Sequence, residues 1–232
     1  MTRTLPLLLL TTSLFACGEA PPPPPPPRPP APMESNRPDD GVMVDTMGSL
    51  DGQAVRRTFQ NIAPRLMGCY EAGLARLRYL AGDVQFHVGV ALDGAVKWAF
   101  IESTQLGDHA AQQCMLEVIR GTTFPRPTGG ESETVVPLAL DPPGDPAWPA
   151  TWTPNNVATA VAEHQMELDA CLDGSSGYSL TIYVASGGTV QSTGATPPDA
   201  DHQDQADCIA AAAATWLLED PGPGGAKVTL EF

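Results

Sequence analysis

Apolar and polar residues alternate through "VQFHVGVALDGAV" (84–96), and the alternation returns through "YSLTIYVASGGTV" (178–190), at an offset of 94 residues without a gap. Val84, Phe86, Val88 and Val90 fall on Tyr178, Leu180, Ile182 and Val184. A period of two predicts one buried strand face in each stretch. Asp93-Gly94 and Gly187-Gly188 tolerate positive φ, so each strand is expected to turn back as a hairpin. The returning strand is clearer in "AVKWAFIES" than in "TVQSTGA". Upstream of each hairpin the spacing changes to steps of three and four: Val55, Phe59, Ile62, Leu66 and Cys69 in one half, Val157, Val161, His164, Leu168 and Cys171 in the other. That spacing puts each set on one helix face. Downstream, "HAAQQCMLEVIR" and "DQADCIAAAAATWLL" are helical by composition, and Val136-Leu138-Leu140 and Val228-Leu230-Phe232 close the halves as short strands.

These patterns predict an α+β fold of two tandem αββαβ domains, residues 53–140 and 155–232, each a three-stranded antiparallel sheet with two helices on one face. Between them, "DPPGDPAWPATWTP" (141–154) reads as a linker, because its prolines are excluded from helix and sheet interiors.

The first 52 residues carry no such periodicity. "MTRTLPLLLLTTSLFA" has an early charge at Arg3 and a short apolar run, the layout of a signal peptide over residues 1–16. The run is too short to span a bilayer, which takes roughly 20 residues. Leu14-Phe15-Ala16-Cys17 resembles a bacterial lipobox, in which Cys17 is acylated and begins the mature chain, although Phe15 is bulkier than the usual occupant. Residues 17–52 then form an anchor and linker: "PPPPPPPRPP" fixes φ and lacks backbone donors, so it is expected to be a polyproline II spacer. The expectation is a cell-envelope lipoprotein facing the periplasm, with Gly18 compatible with outer-membrane sorting.

With Cys17 assigned to lipid, one cysteine remains in each of the four predicted helices. Four cysteines allow three pairings. Cys114 and Cys208 lie at the 94-residue offset. The repeat favours Cys69 with Cys114 and Cys171 with Cys208, each bond joining the two helices of one half in an oxidising compartment. Buried free thiols are the alternative.

The element order, the cysteine positions, the Asp-Gly hairpin and "FPRPTGGESETVVPLAL" (124–140) together resemble the carboxy-terminal domains of the TonB-like superfamily. The likeness is greatest to the AgmX/PglI type found at the ends of myxobacterial gliding-motility proteins. It covers residues 53–140 well and 155–232 weakly, since Leu217-Leu218 stands near where Phe124 and Pro125 would fall. The resemblance implies a periplasmic module that binds a partner protein. Separately, the αββαβ order leaves at least one sheet edge with unpaired backbone groups, and addition of an extended peptide to such an edge in residues 53–140 is the expected mode. Energy transduction is not implied, because a lipid anchor replaces the inner-membrane helix.

Charge then separates the halves. Residues 53–140 hold eight basic and eight acidic residues, whereas 155–232 hold one basic residue against eleven acidic ones. A chain of net charge −15 repels phosphate, so no nucleic-acid partner is expected. The acidic half reads as a solvated surface or as the complement of a basic partner. Catalytic and metal signatures are sparse. Read as a calcium loop, "DADHQDQADC" (199–208) has Asp204 at the glycine position and Ala210 where a bidentate glutamate belongs. His87, His109, His164 and His202 show no ligand spacing, and His164 sits on an apolar helix face. The sequence therefore predicts no cofactor, no metal and no enzyme, and favours a binding module. A secreted hydrolase with a site between the two domains, or a structural envelope spacer, are the alternatives.

Overall fold

A computed structural model describes residues 47–232. The signal-like run, Cys17 and the proline run lie outside the described residues. Asp51 opens the first helix, α1 (Gly52–Leu74), by accepting from the N–H groups of Gln53 and Ala54, as an N-cap carboxylate does. The hairpin follows as β1 (Gly82–Val90) and β2 (Val96–Thr104), then α2 (His109–Arg120) and β3 (Ser132–Leu140). β1 is central, flanked by β2 and β3, and both pairings are antiparallel. Val84, Phe86 and Val88 pack against Leu66, Cys69, Met115 and Ile119 of the two helices in one core. A disulfide joins Cys69 to Cys114, from α1 to α2.

The second half departs from expectation in two places. The stretch read as a linker contributes β4 (Ala150–Thr151), which pairs parallel with the last strand, β7 (Ala226–Glu231). Its sheet, ordered β4-β7-β5-β6 with β5 (Ser179–Val184) and β6 (Val190–Thr196), is therefore four-stranded and mixed, not three-stranded and antiparallel. The prolines bar a strand interior but not a two-residue edge, where Ala150 and Trp152 donate to the Gly225 and Lys227 carbonyls at 3.0 and 2.8 Å. The helix expected over Val157–Cys171 is also divided, into a 3₁₀ turn (Pro154–Val157), α3 (Ala158–Glu163) and α4 (Gln165–Leu172). His164 ends one piece and begins the next with φ −101° and ψ 13°, and its ring stacks on Trp216 at 5.1 Å. Cys171 of α4 is joined to Cys208 of α5 (Gln203–Ala213).

Hydrogen bonds of the first hairpin recur 94 residues on. Ala91 N–H donates to Ala95, and Ala185 N–H to Thr189, each at 2.8 Å. Phe124 N–H donates to Gly94, and Leu218 N–H to Gly188, again at 2.8 Å. Strand pairing keeps the offset, with Phe86 opposite Val136 and Leu180 opposite Leu230.

The halves meet through the far face of the second sheet. Leu180, Ile182 and Val184 point into their own core, while Tyr183 packs into the core of the first half. Gly107 fits against Thr181 and Tyr183, where a Cβ would come within 2.6 Å of the threonine methyl. Beside it Asp108, 2% exposed, accepts from Ala111 N–H at 2.8 Å, from Arg76 Nη2 at 2.5 Å and from Ser192 Oγ at 3.1 Å. It caps α2 and ties it to the end of α1 and to β6.

Asp108→Ala is expected to cost about 2–3 kcal/mol, the sum of a lost cap and a lost charge-assisted hydrogen bond. The measurement is a urea midpoint that falls with unchanged slope; a loss within error would refute the role given to Asp108. Replacing both Cys171 and Cys208 by alanine opens a loop with a sequence separation of 37, for which the chain-entropy account expects roughly 4 kcal/mol. Thermal unfolding without reductant reads that loss, and peptide mapping should recover Cys69 linked to Cys114.

Candidate functional site

Alternation along β1 sends Val84, Phe86 and Val88 inward, and so sends Gln85, His87 and Gly89 to the face away from the helices. In register across the sheet, His87 lies between Val135 of β3 and Phe100 of β2, and Gly89 between Glu133 and Trp98. A Cβ on Gly89 would sit 2.3 Å from the Trp98 indole. The glycine is there because the indole reclines across it. His87 meets Trp98 edge-on at 5.2 Å and lies 5.3 Å from Phe100, which is 5% exposed. The result is an aromatic shelf on this face.

Carboxylates flank the shelf. His87 Nε2 lies 3.2 Å from Glu133 Oε2, and Nδ1 lies 3.9 Å from Glu102 Oε1. Lys97 is matched by Glu131 at 2.5 Å. Between shelf and sheet edge is a depression of about 320 Å³ lined by Met47, Gly89, Lys97, Trp98, Glu131 and Glu133.

β3 forms that edge. All nine of its residues pair with β1 without a register shift, and among the described residues no strand pairs with its other side. Among the described residues the chain bonds to that side at its start, where Gly48 N–H donates to Glu131 at 2.7 Å and Ser49 bridges Thr128. The Glu131 carbonyl thus points away from β1, and alternation turns the backbone groups of Glu133, Val135, Pro137 and Ala139 the same way. Pro137 is at a position where a missing N–H removes no bond to β1. Val135 is 45% exposed. The other edges are β2, which gives its Ala99 carbonyl to Arg120 at 3.0 Å, and in the second sheet the two-residue β4 and the seven-residue β6, all shorter than or differently engaged from β3.

A second concavity lies between the halves, a cleft of about 710 Å³ with Asp83, Glu102, Asp141 and Glu231 among its walls and Lys227 beside them. Lys227 is the one basic residue of 155–232. Its Nζ donates to the Ala81 carbonyl at 3.3 Å and lies 5.0 Å from the Tyr183 ring centroid. Burial pushes the amine down to about 8, because the charged form loses water without gaining a carboxylate.

The remaining sequence candidates are dispersed. Cys17 lies outside the described residues, and the other four cysteines form the two disulfides. Asp199 caps the 3₁₀ turn Ala200–His202 and is held below the usual carboxylate range by hydrogen bonds from His202 and from backbone N–H groups. His109 lies 3.9 Å from Asp207, and His164 3.2 Å from Glu167. Among the described residues no three His, Cys, Asp or Glu side chains converge as a metal site, and no helix is long and apolar enough to cross a membrane. Sequence reading assigned no role to Gly89, Trp98 or Phe100. Their signal was the spacing of "WAF" opposite "HVG". Comparison with known protein families, with curated proteins and with solved structures finds no match for this chain.

Lys227 gives the cleft a pH signature. Its folded value lies below the unfolded 10.5, so between about pH 8 and 10.5 the unfolded chain holds more protons and stability rises with pH. Tyr70, pushed up to about 12 by burial, remains neutral across that window. In Lys227→Met the rise from pH 8 to 10 should vanish, and the variant should gain on the order of 1–2 kcal/mol at pH 7, a figure reduced for the amine's remaining solvent contact. Urea midpoints across pH measure both; parallel profiles for wild type and variant would refute the assignment.

Proposed function

We propose that this chain is an exported envelope lipoprotein, anchored through an acylated Cys17, that binds an extended segment of a partner protein by strand addition to β3. On this reading the two halves are tandem copies of a TonB-C-like αββαβ module, with β4 and the break at His164 as departures in the second copy. Support for duplication comes from hydrogen bonds that recur at the 94-residue offset. One observation carries the binding mode: β3 is a long edge strand paired on one side along its whole length and, among the described residues, unpaired on the other beyond Glu131. An added strand would take main-chain hydrogen bonds from this edge and selectivity from side chains on the adjoining face. The module is non-enzymatic in this reading, and the lipid-anchored tail would hold it off the membrane surface.

A rival reading, a hydrolase acting between the halves, draws support from the cleft at Lys227. The two divide experimentally, because activity against a panel of ester, amide and glycoside probes that Lys227→Met removes would favour the hydrolase.

The binding proposal is tested by crosslinking the full-length protein in envelope extract, then mapping amide-exchange protection with the captured partner. Protection is expected along Glu133–Ala139. Val135→Pro removes an outward N–H without touching the bonds to β1, so it should abolish capture at nearly unchanged unfolding temperature. A footprint confined to α1 and α2, or to residues 155–232, would overturn the proposal. Metabolic labelling with a palmitate analogue tests the anchor: wild type should be labelled and Cys17→Ala should not.

A further inference from the structure

The face beside β3 carries information about what kind of segment fits it. In a strand added to β3, the residue opposite Glu133 projects its side chain onto the same face as Glu133, Gly89 and Trp98, because directly opposed residues share a face. Three strand spacings separate such a strand from β2, which carries Trp98. The indole lies over Gly89 of β1, so its ring is nearer two spacings away, roughly 10 Å. A long side chain crossing Glu133 therefore ends at an aromatic surface, inside the depression that Met47, Trp98 and Glu133 line.

Charge selects which long side chain. His87 stands between Glu133 and Glu102, and this trio bears net negative charge whichever state the imidazole adopts, since one cation cannot neutralise two carboxylates. Lys97 offers no counter-charge, being matched by Glu131. An acidic side chain placed opposite Glu133 would meet a like charge directly across the strands, an unfavourable pairing. A guanidinium or ammonium would instead meet a carboxylate at its stem and an indole at its tip, a cation–π arrangement.

Resting on the strand-addition reading, we propose that the β3 face selects an extended partner segment carrying an arginine or lysine opposite Glu133, its cationic end held against Trp98 and its charge balanced by Glu133 and Glu102. The occupant is a basic stretch of a partner protein. It is matched to the chemistry of this one face, independently of the acidity of residues 155–232.

The test uses three blocked strand-forming heptapeptides, Ac-Thr-Val-Thr-X-Thr-Val-Thr-amide, with X arginine, glutamine or glutamate, titrated into the full-length protein and followed by amide chemical shifts. Affinity should fall in the order arginine, glutamine, glutamate, with arginine about five-fold or more tighter than glutamine. The margin should shrink as salt is raised. Glu133→Gln and Glu102→Gln alter solvent-exposed carboxylates and should retain the fold while compressing the ranking; Trp98→Leu should reduce the preference for arginine alone. Equal affinity for all three peptides, with shifts centred on Glu133–Ala139, would overturn the charge selection and leave strand addition standing. Shifts centred elsewhere, or no binding of any peptide, would overturn both.

Discussion

Four donors from three parts of the chain converge on the Asp108 carboxylate: the Ala111 N–H of its own helix, two nitrogens of Arg76 at the end of α1, and Ser192 from the second half. A carboxylate 2% exposed is tolerable in the folded chain only when its lone pairs are satisfied, and here the partners come from elements remote in sequence. Other contacts depend on that placement. Gly107, one residue earlier, can lie flush against Thr181 and Tyr183 only if the turn into α2 is fixed, and Tyr183 then completes the first core from the second sheet. The two halves are thus packed as parts of one structure, with cross-contacts that neither half could supply alone.

This packing decides which surfaces remain available. The second sheet uses one face for its own helices and the other for the first half, so its strands are covered on both sides. The first sheet uses only one face for its helices. On its other face Val135, Glu102 and Glu133 are exposed among the described residues, and there the aromatic shelf, the flanking carboxylates and the edge of β3 occur together on residues 84–140. The acidic half contributes one wall of the cleft, where Lys227 lies half-buried beside the Ala81 carbonyl.

Features with a side-chain period were legible in the sequence, and features made of backbone contacts or tertiary packing were not. Both hairpins, α1 and α2 were readable because Val84–Val90 and Val55–Cys69 mark their faces unambiguously. The cysteine pairing followed from position within the repeat. β4 was missed because Ala150 and Thr151 contribute only backbone groups and sit among prolines. The break at His164 was hidden because the spacing of Val157, Val161, Leu168 and Cys171 continues across it. At Leu217-Leu218 the side chains differ from Phe124-Pro125, yet Leu218 keeps the hydrogen bond made by Phe124, because that bond needs only a backbone N–H. The shelf was unread because alternation was used to find the core, leaving His87, Gly89 and Trp98 as the uninterpreted complement.

Pro137 has a consequence for the protein in company with its own kind. A long open strand is self-complementary, since two copies can zip together edge to edge and recruit further copies. On β3 the outward donors are those of Glu133, Val135 and Ala139, and the proline interrupts them in the second half of the strand. Edge-to-edge pairing across that half of the strand lacks one donor, which weakens it. On the strand-addition reading, the same residue would weaken both the pairing with an added segment and the edge-to-edge pairing of two copies of the chain.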